Sequence, residues 1–366
     1  MLKEIYEQPE VLQTCLSHYL SEDHPLSSSS AYSFIPSNLS QIHILGSGTS
    51  RHAGLVAQYW LEQVAGIPTR VRSASEFLSA PLPLVANTLT IAITQSGETS
   101  DTLAAARQQK NYSRLADTST CQLIGITNQS ESSLARTVDH ILPILAGNEI
   151  GVAATKTFTT QLAVLACLTV HLAHCFKTIS QERSHQLITE LQYLPAKIAS
   201  VLEQQQDIIQ EIAQKLALAK HCIVLGQGVN RAIALEGALK LKETTYIHAE
   251  GYAAGEFLHG PVALLEPNIP VIAIVMPDQS YEQVINTVRK VKFHNVPVIG
   301  ITATTIPSAA LQILDHQITL PTTDELLSPF LTIVPLQLLA YYTAVQRGLD
   351  VDRPRNITKT LVVPES

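Results

Sequence analysis

Short apolar runs alternate along the chain with Gly- and Ser-rich breaks and with longer stretches of helical character. The run at 42–45 leads into the polar segment 46–50 (GSGTS), and the run at 89–93 leads into the segment 94–99 (TQSGET). A further apolar run follows at 122–126. Such an alternation of strand, loop and helix predicts an α/β fold with a doubly wound parallel sheet.

The second half of the chain repeats the landmarks of the first. Gly46 and Gly226 each follow an apolar run. A Glu-Phe pair begins 30 residues after each of these glycines (76 − 46 and 256 − 226). The run 91–93 has its counterpart at 272–274, an offset of 181 (272 − 91) against 180 for the glycines (226 − 46). The repeat predicts two tandem copies of one flavodoxin-like α/β domain.

The composition between these landmarks indicates where each segment begins and ends. The predicted order is an N-terminal helical arm and loop at 1–38, a first domain at 39–180, a helical connector at 181–220, a second domain at 221–350 and a C-terminal active-site tail at 351–366.

The overall charge limits the classes of partner. Apolar residues make up 46% of the chain and charged residues 15%, with a net charge of −7 and a pI near 6.0. No broad basic surface is therefore expected to attract nucleic acid or anionic lipid. The first 20 residues have no signal-peptide core, and the apolar stretch 162–176 is predicted to be a buried helix rather than a membrane span.

The five cysteines are irregularly spaced and form no CxxC pair. This pattern is typical of a reduced, cytoplasmic protein. His171 and His174 could share one helix face, but no Cys or carboxylate lies near them in the sequence. We therefore expect packing histidines and no metal site.

A Gly-x-Gly segment follows a strand in each half, as in the fingerprint of dinucleotide-binding proteins. The third glycine of that fingerprint is replaced by Arg51 in the first copy and by Arg231 in the second. No acidic residue closes the strand at 69–73 either. The sequence therefore predicts no nicotinamide or flavin cofactor.

Hydroxyl and amide side chains concentrate in the two turns instead. Backbone N–H groups at helix starts favour an anion, and hydroxyls add donors without adding charge. The alternative is that these residues only cap two helices. Two such turns at neighbouring strand ends favour a phosphate site, with Glu98 expected to point away from it. The candidate ligands are Ser50, Thr94, Gln95, Ser96 and Thr99.

The stretch 234–243 places Glu236, Lys240 and Glu243 at i, i+4 and i+7, on one face of a predicted helix. A solvated face with one weak ion pair has the same spacing. The following Gly-, Ala- and His-rich segment makes poor core but a suitable active-site wall, and it contains His259. Carboxylate and imidazole groups there could transfer protons on a sugar. In the C-terminal tail, Lys359 could form an imine with a ketose carbonyl, or the tail could be a solvated basic end.

Several long strings resemble the isomerase domains of the glucosamine-6-phosphate synthase family, within the sugar-isomerase (SIS) family. The resemblance extends over essentially the whole chain. It rests on the strings KEIYEQP (3–9), SGTS (47–50), QSGETSDTL (95–103), GNEIGVAATKTFTTQL (147–162), ALEGALKLKE (234–243), IHAEGYAAGEFLHGP (247–261) and DRPRNITKT (352–360).

The resemblance implies roles for individual residues. Ser50, Gln95, Ser96 and Thr99 match phosphate ligands, and Thr94 stands where the family usually has serine. Glu243 matches the base that moves a proton between C1 and C2, assisted by Lys240, with Glu236 on the same helix face. His259 matches a ring-opening histidine contributed by the partner subunit, which implies a homodimer. Lys359 matches the imine-forming lysine. The candidate sugar-binding residues are Val152, Thr358 and Glu236.

Three positions depart from the family pattern: Ser47 replaces a cysteine, Ala154 a serine and Thr358 an alanine. The last two could change which sugar fits. The family's full-length members begin with a glutaminase domain, whereas this sequence begins at the isomerase boundary. If this is the natural chain, glutamine-dependent amination cannot occur in it, and a separate source could supply the ammonia.

Three functions remain open at this point. The leading one interconverts fructose-6-phosphate plus ammonia with glucosamine-6-phosphate, through an imine and C1–C2 proton transfer. The second is a stand-alone glucosamine-6-phosphate deaminase of the SIS type. The third is a non-catalytic sensor of sugar phosphates, which would need the phosphate ligands but not Glu243, His259 and Lys359.

Overall fold

The computed structural model describes residues 1–20, 32, 34–36, 38–115 and 121–359 of the chain. In this part of the chain the strands are β1 (Gln41–Gly46), β2 (Thr69–Ser73), β3 (Thr88–Ile93), β4 (Gln122–Thr127), β5 (His140–Pro143), β6 (His221–Gly226), β7 (His248–Ala253), β8 (Val271–Val275), β9 (Val298–Ala303) and β10 (His316–Leu320).

The helices are α1 (Leu2–Tyr6), α2 (Gln8–Tyr19), α3 (Gly48–Gln63), α4 (Ala74–Ser79), α5 (Ser100–Leu115), α6 (Ser133–Thr137), α7 (Lys156–Cys175), α8 (Gln181–Gln204), α9 (Gln206–Leu216), α10 (Asn230–Thr245), α11 (Ala254–Phe257), α12 (Tyr281–Lys292), α13 (Ser308–Leu311) and α14 (Ser328–Gln346). Short 3₁₀ turns occur at Pro261–Leu264 and Glu325–Leu327.

The strands form two five-stranded parallel sheets with the same order. The first sheet runs β2-β1-β3-β4-β5, and the second runs β7-β6-β8-β9-β10. The predicted α/β class with two related parallel sheets is confirmed. Because crossover helices cover both faces of a parallel sheet, its central strands are largely apolar, and all residues of β3 and β8 are buried. The edge strands β2 and β7 are only partly buried and carry charged residues.

The internal repeat extends to the pairing of individual residues. Ile44 of β1 lies opposite Ile91 of β3, and Val224 of β6 lies opposite Ile272 of β8. The residues of β1 and β6 are 180 positions apart (224 − 44), and those of β3 and β8 are 181 positions apart (272 − 91), the same offsets as noted above. The extra residue therefore lies between the strands. A one-residue slip within a strand would turn every side chain to the other face.

The chain folds into two compact units that are discontinuous in sequence. The first unit contains residues 10–149 and 156–192 and the segment that starts at Thr358, and it includes the first sheet. The second unit contains residues 1–9, 150–155 and 193–357, and it includes the second sheet. The five segments predicted above follow sequence order, and their boundaries remain predictions.

Each unit has its own apolar core. In the second unit, residues of β6, β8 and α12, among them Leu225, Val271 and Val288, form one buried cluster. In the first unit, Leu45 packs with Phe77 and Ala105, and Ala92 packs with residues of α5 and α6. The cores of the first unit hold β1 and β3, the strands at whose ends the two candidate turns lie.

The two most apolar helices lie inside the units. Lys156–Cys175 and Glu325–Gln346 are long and apolar enough to cross a membrane by length and composition alone, but 83% of the most apolar window of each is buried. Such burial is typical of a core helix in a soluble protein. It agrees with the prediction of a buried helix at 162–176.

Candidate active site

The two polar turns lie side by side at the carboxyl ends of adjacent strands. Gly46 at the end of β1 lies opposite Ile93 at the end of β3, so the segments 47–50 and 94–99 leave the sheet together. The backbone of the second turn passes through Gly97 with φ of +67°, and a Cβ there would come within 2.0 Å of the Ser132 hydroxyl. Glycine is therefore needed both for the left-handed conformation and for the close packing.

The side chains of the turns are held by specific hydrogen bonds. The Thr94 and Thr99 hydroxyls lie 2.7 Å apart. The Ser96 Oγ accepts a bond from the Glu98 N–H at 3.1 Å. Since a hydroxyl that accepts one bond can still donate its own proton, Ser96 keeps a donor for a ligand. Ser47, the N-cap of α3, makes no side-chain capping bond, so helix capping does not account for this hydroxyl.

Ser50 is positioned from outside its own turn. Its Oγ lies 3.1 Å from Nε2 of Gln161, a residue of α7 that is 1% exposed. The amide donates to the serine oxygen, which leaves the serine proton available to an anion. Sequence reasoning missed Gln161, although it belongs to the string 147–162.

Glu98 is engaged away from the hydroxyls of the turn. Its Oε1 accepts a 2.7 Å bond from the backbone N–H of Ser133, at the start of α6. That bond lowers the pKa of the Glu98 carboxyl. A carboxylate at a helix start is electrostatically favourable, and this contact explains how an acidic residue is accommodated in the turn.

If the turns bind phosphate, removing one hydroxyl should weaken binding measurably. We expect Thr99→Val to raise the dissociation constant for fructose-6-phosphate by about tenfold or more, the effect of losing a hydrogen bond to a charged group. Isothermal titration calorimetry measures this value. Thr189→Val, at an exposed threonine of α8, is the matched control and should leave the affinity unchanged. Equal affinities for the two variants would contradict phosphate binding at this turn.

In the second unit, the three charged residues of α10 form a largely buried trio. Lys240 and Glu236 have fully buried side chains, and Glu243 is 23% exposed. The Lys240 Nζ lies 3.3 Å from Glu236 Oε1 and 2.5 Å from Glu243 Oε2. Burial opposes the charge on the Lys240 amine, but the two carboxylates outweigh it and raise the pKa of this lysine. The solvated-face interpretation is therefore wrong.

The burial of α10 depends on the close approach of α14. The two helices pack together, and a Cβ on Gly237 would come within 2.6 Å of the Leu336 side chain. A residue without a side chain at 237 thus allows Leu336 to cover the face next to the trio. Asn230, near the start of α10, is also buried and donates to the Ser328 hydroxyl at 2.9 Å.

The exposed part of the trio lies in an open cavity of about 420 Å³. Arg355 lies over the ring of Tyr246 at 4.1 Å from its centroid, and the backbone N–H of Arg355 donates to the Tyr246 hydroxyl at 2.8 Å. The cavity is lined by Lys242, Glu243, Tyr246, Ile247, His248, Arg355, Asn356 and Ile357. Glu243 is thus a carboxylate held by a buried lysine and accessible from a cavity.

Two other candidate residues of the second unit, Val152 and His259, lie on segments separate from α10. Val152 is partly buried in the segment 150–155, whose backbone N–H groups at Ile150 and Gly151 donate to Glu4 Oε1 at 2.5 and 3.0 Å. His259 is exposed, in the turn that follows α11. The structure of one chain therefore brings together Glu236, Lys240 and Glu243 without His259.

Lys359 has a partner that the sequence did not suggest. Its Nζ lies 2.7 Å from Oε2 of Glu149, whose side chain is fully buried. Both residues belong to the first unit. Thr358, next to it, is exposed. Glu149 lies in the string 147–162, 210 positions from Lys359, and no local pattern indicated the pair.

The cysteines and the metal-ligand candidates support no further centre in the described residues. All five cysteines are free thiols. The His171 ring packs against the Tyr32 ring with centroids 4.8 Å apart. No group of three or more His, Cys, Asp or Glu side chains able to hold a metal ion occurs within the described ranges.

Comparison with known proteins shows the family to which the two sheets belong. The sequence profile of the SIS domain matches the chain twice, over residues 37–171 and 215–347. This chain belongs to the SIS domain family. The two matches contain the two sheets, so the predicted repeat of SIS domains is confirmed.

Relatives of this SIS chain are similar along nearly its full length. It is 48% identical over 99% of its residues to the glutamine–fructose-6-phosphate aminotransferase (isomerizing) of Synechocystis sp., and 42% identical over 99% to that of Methanosarcina acetivorans. The chain spans about 59% and 58% of the length of these two proteins.

A solved structure supports the same relationship. The C-terminal domain of glucosamine-fructose-6-phosphate aminotransferase from Francisella tularensis is 35% identical, with a TM-score of 0.90, covering 97% of this chain and 98% of that domain. The family resemblance inferred from the sequence strings is therefore confirmed.

Proposed function

We propose that this SIS chain interconverts fructose-6-phosphate plus ammonia and glucosamine-6-phosphate. The observation that carries the proposal is the trio on α10: a carboxylate, Glu243, accessible from a cavity and held by Lys240, a lysine with a fully buried side chain. A buried ammonium between two carboxylates contributes little to stability compared with an apolar core. Its presence is better explained by proton transfer.

The reaction needs a phosphate site, a carbonyl-activating amine and a base. Under this proposal the hydroxyls of the two turns, Ser50, Thr94, Ser96 and Thr99, together with Gln95, bind the phosphate. The Lys359 amine forms an imine at C2 of the ketose, and ammonia then displaces the lysine. Glu243 moves the proton between C1 and C2.

The remaining residues support these steps. Lys240 holds the Glu243 carboxylate in place, and Glu236 balances the charge of the lysine. Val152 and Thr358 line the sugar. His259, exposed on its own chain, opens the sugar ring from the partner subunit of a homodimer. The enzyme is cytoplasmic, uses no cofactor, and takes ammonia from solution or from a separate source.

The relatives' names favour the synthetic direction, because the proteins that are 42–48% identical over 99% of the chain are isomerising aminotransferases. Their use of glutamine belongs to proteins of which this chain spans 59% or less. The reaction proposed here is therefore the ammonia-dependent one.

Assays in both directions test the proposal. Purified protein should form glucosamine-6-phosphate from fructose-6-phosphate and ammonium chloride, and a coupled ammonia assay measures the reverse reaction. Turnover only in the deaminating direction would make it a deaminase. Binding of the phosphosugar without turnover in either direction would overturn the catalytic proposal in favour of a sensor.

A further inference from the structure

The first unit also contains an ion pair, Glu149–Lys359, which is separate from the two hydroxyl turns. Several polar contacts converge on the Glu149 carboxylate. Its Oε2 lies 2.7 Å from Lys359 Nζ and accepts from the Thr157 hydroxyl at 2.6 Å, while its Oε1 accepts from the Thr157 backbone N–H at 3.2 Å. The Glu149 side chain is fully buried and Lys359 is 24% exposed.

The arrangement fixes the carboxylate more firmly than the lysine. Thr157 lies in the first turn of α7 and binds both oxygens of Glu149. The partial positive charge at a helix start stabilises a carboxylate there. Lys359, by contrast, lies in a tail segment without regular secondary structure, and a lysine side chain is flexible. The carboxylate can therefore stay in position while the amine exchanges its contact for another.

Imine formation places a chemical demand on such a pair. An ammonium group has no lone pair and cannot attack a carbonyl, so it must first lose a proton to a neighbouring base. The carbinolamine that forms must then lose its hydroxyl, which leaves as water only if an acid protonates it. One carboxylate next to the nitrogen can serve both steps.

We propose that Glu149 is the acid–base partner of Lys359 in imine formation; this inference rests on the imine role proposed above for Lys359. Glu149 accepts one proton from the Lys359 ammonium, and the freed amine adds to the C2 carbonyl. A proton moves from nitrogen to the former carbonyl oxygen and gives the neutral carbinolamine. Protonated Glu149 then donates to this hydroxyl, water leaves, and a protonated imine remains with Glu149 ionised again.

Borohydride trapping measures this step directly. With fructose-6-phosphate and sodium borohydride, the protein should gain a covalent sugar adduct at Lys359, followed over time by mass spectrometry. In Glu149→Gln we expect the trapping rate to fall by about 10²-fold or more, the usual effect of removing a general acid–base group. The dissociation constant for inorganic phosphate should stay unchanged. Glu182→Gln, an exposed glutamate of α8, is the matched control and should trap at the unchanged rate.

Two further variants separate chemistry from structure. Glu149→Asp keeps a carboxylate and should recover part of the trapping rate, and added formate should partly restore trapping in Glu149→Ala. A residue that only stabilises the start of α7 would respond to neither. If Glu149→Gln does not fold, as judged by circular dichroism, Glu149→Ala replaces it, and a trapping rate in that variant, without formate, equal to that of the Glu182→Gln control overturns the inference.

The outcomes also distinguish this inference from the function on which it rests. If the unmodified protein traps no sugar while Lys359 is intact, the imine role of Lys359 fails. If the unmodified protein traps sugar, Lys359→Met does not, and Glu149→Gln traps as fast as the control, the imine role stands and the role of Glu149 is refuted.

Discussion

Glu243→Gln is expected to lower kcat for the conversion of fructose-6-phosphate and ammonia by about 10²–10⁴-fold, the range for loss of a general base. The amide has the same shape and can still accept a hydrogen bond from Lys240, which lies 2.5 Å from the carboxylate. It cannot take up the proton from C1. Substrate affinity should therefore change little, because the phosphate ligands belong to the first unit and are untouched.

Steady-state kinetics and ligand-induced stabilisation together measure this prediction. The thermal shift produced by fructose-6-phosphate should be retained in Glu243→Gln, since stabilisation depends on binding and not on turnover. Glu266→Gln, an exposed glutamate of the second unit, should match the unmodified protein in both measurements. Full activity in Glu243→Gln would contradict its role as base.

Lys240→Met should reduce the free energy of unfolding by about 3–5 kcal/mol, the effect of removing one member of a buried ion pair. The Lys240 and Glu236 side chains are both fully buried. Methionine fills much of the same space, but it leaves Glu236 without the ammonium that neutralises it. Equilibrium urea denaturation measures the change.

A second lysine–glutamate pair at the same spacing provides the control. Lys215 and Glu211 on α9 are 2.9 Å apart, with more than half of each side chain exposed. Lys215→Met should therefore change stability by less than about 1 kcal/mol. The double variant Lys240→Met, Glu236→Gln should recover much of the loss, because the uncompensated charge is gone. Equal effects of Lys240→Met and Lys215→Met would show that burial of the trio does not matter for stability.

The fold was predictable because its signals are local. Strands buried on both faces, such as β3 and β8, read as unbroken apolar runs, and the glycines that end β1 and β6 mark the turns. The two turns could be placed side by side from the same pattern, since parallel strands end at one edge of a sheet. These are properties of a few consecutive residues.

The burial of the candidate residues was harder to predict, because it depends on packing between residues far apart in the sequence. The spacing of Glu236, Lys240 and Glu243 is the same on a solvated helix, and only the approach of Leu336 to Gly237, about a hundred positions away, indicates burial. Glu149 went unnoticed for the same reason: its contact with Lys359 spans 210 positions. Family resemblance identified Lys240 and Lys359, and the helix spacing gave the partners of Lys240, but nothing local gave the partner of Lys359.

The discontinuous course of the chain through its two units has a consequence for biosynthesis. The second unit joins residues 1–9 to 193–357, and the first includes Thr358 and Lys359. On the ribosome, the second unit cannot be completed until α14 has been translated, so α1, which packs against α14, must wait for its packing partner. Slow or chaperone-assisted maturation is the expected result, in contrast to proteins whose domains fold one after another as they emerge.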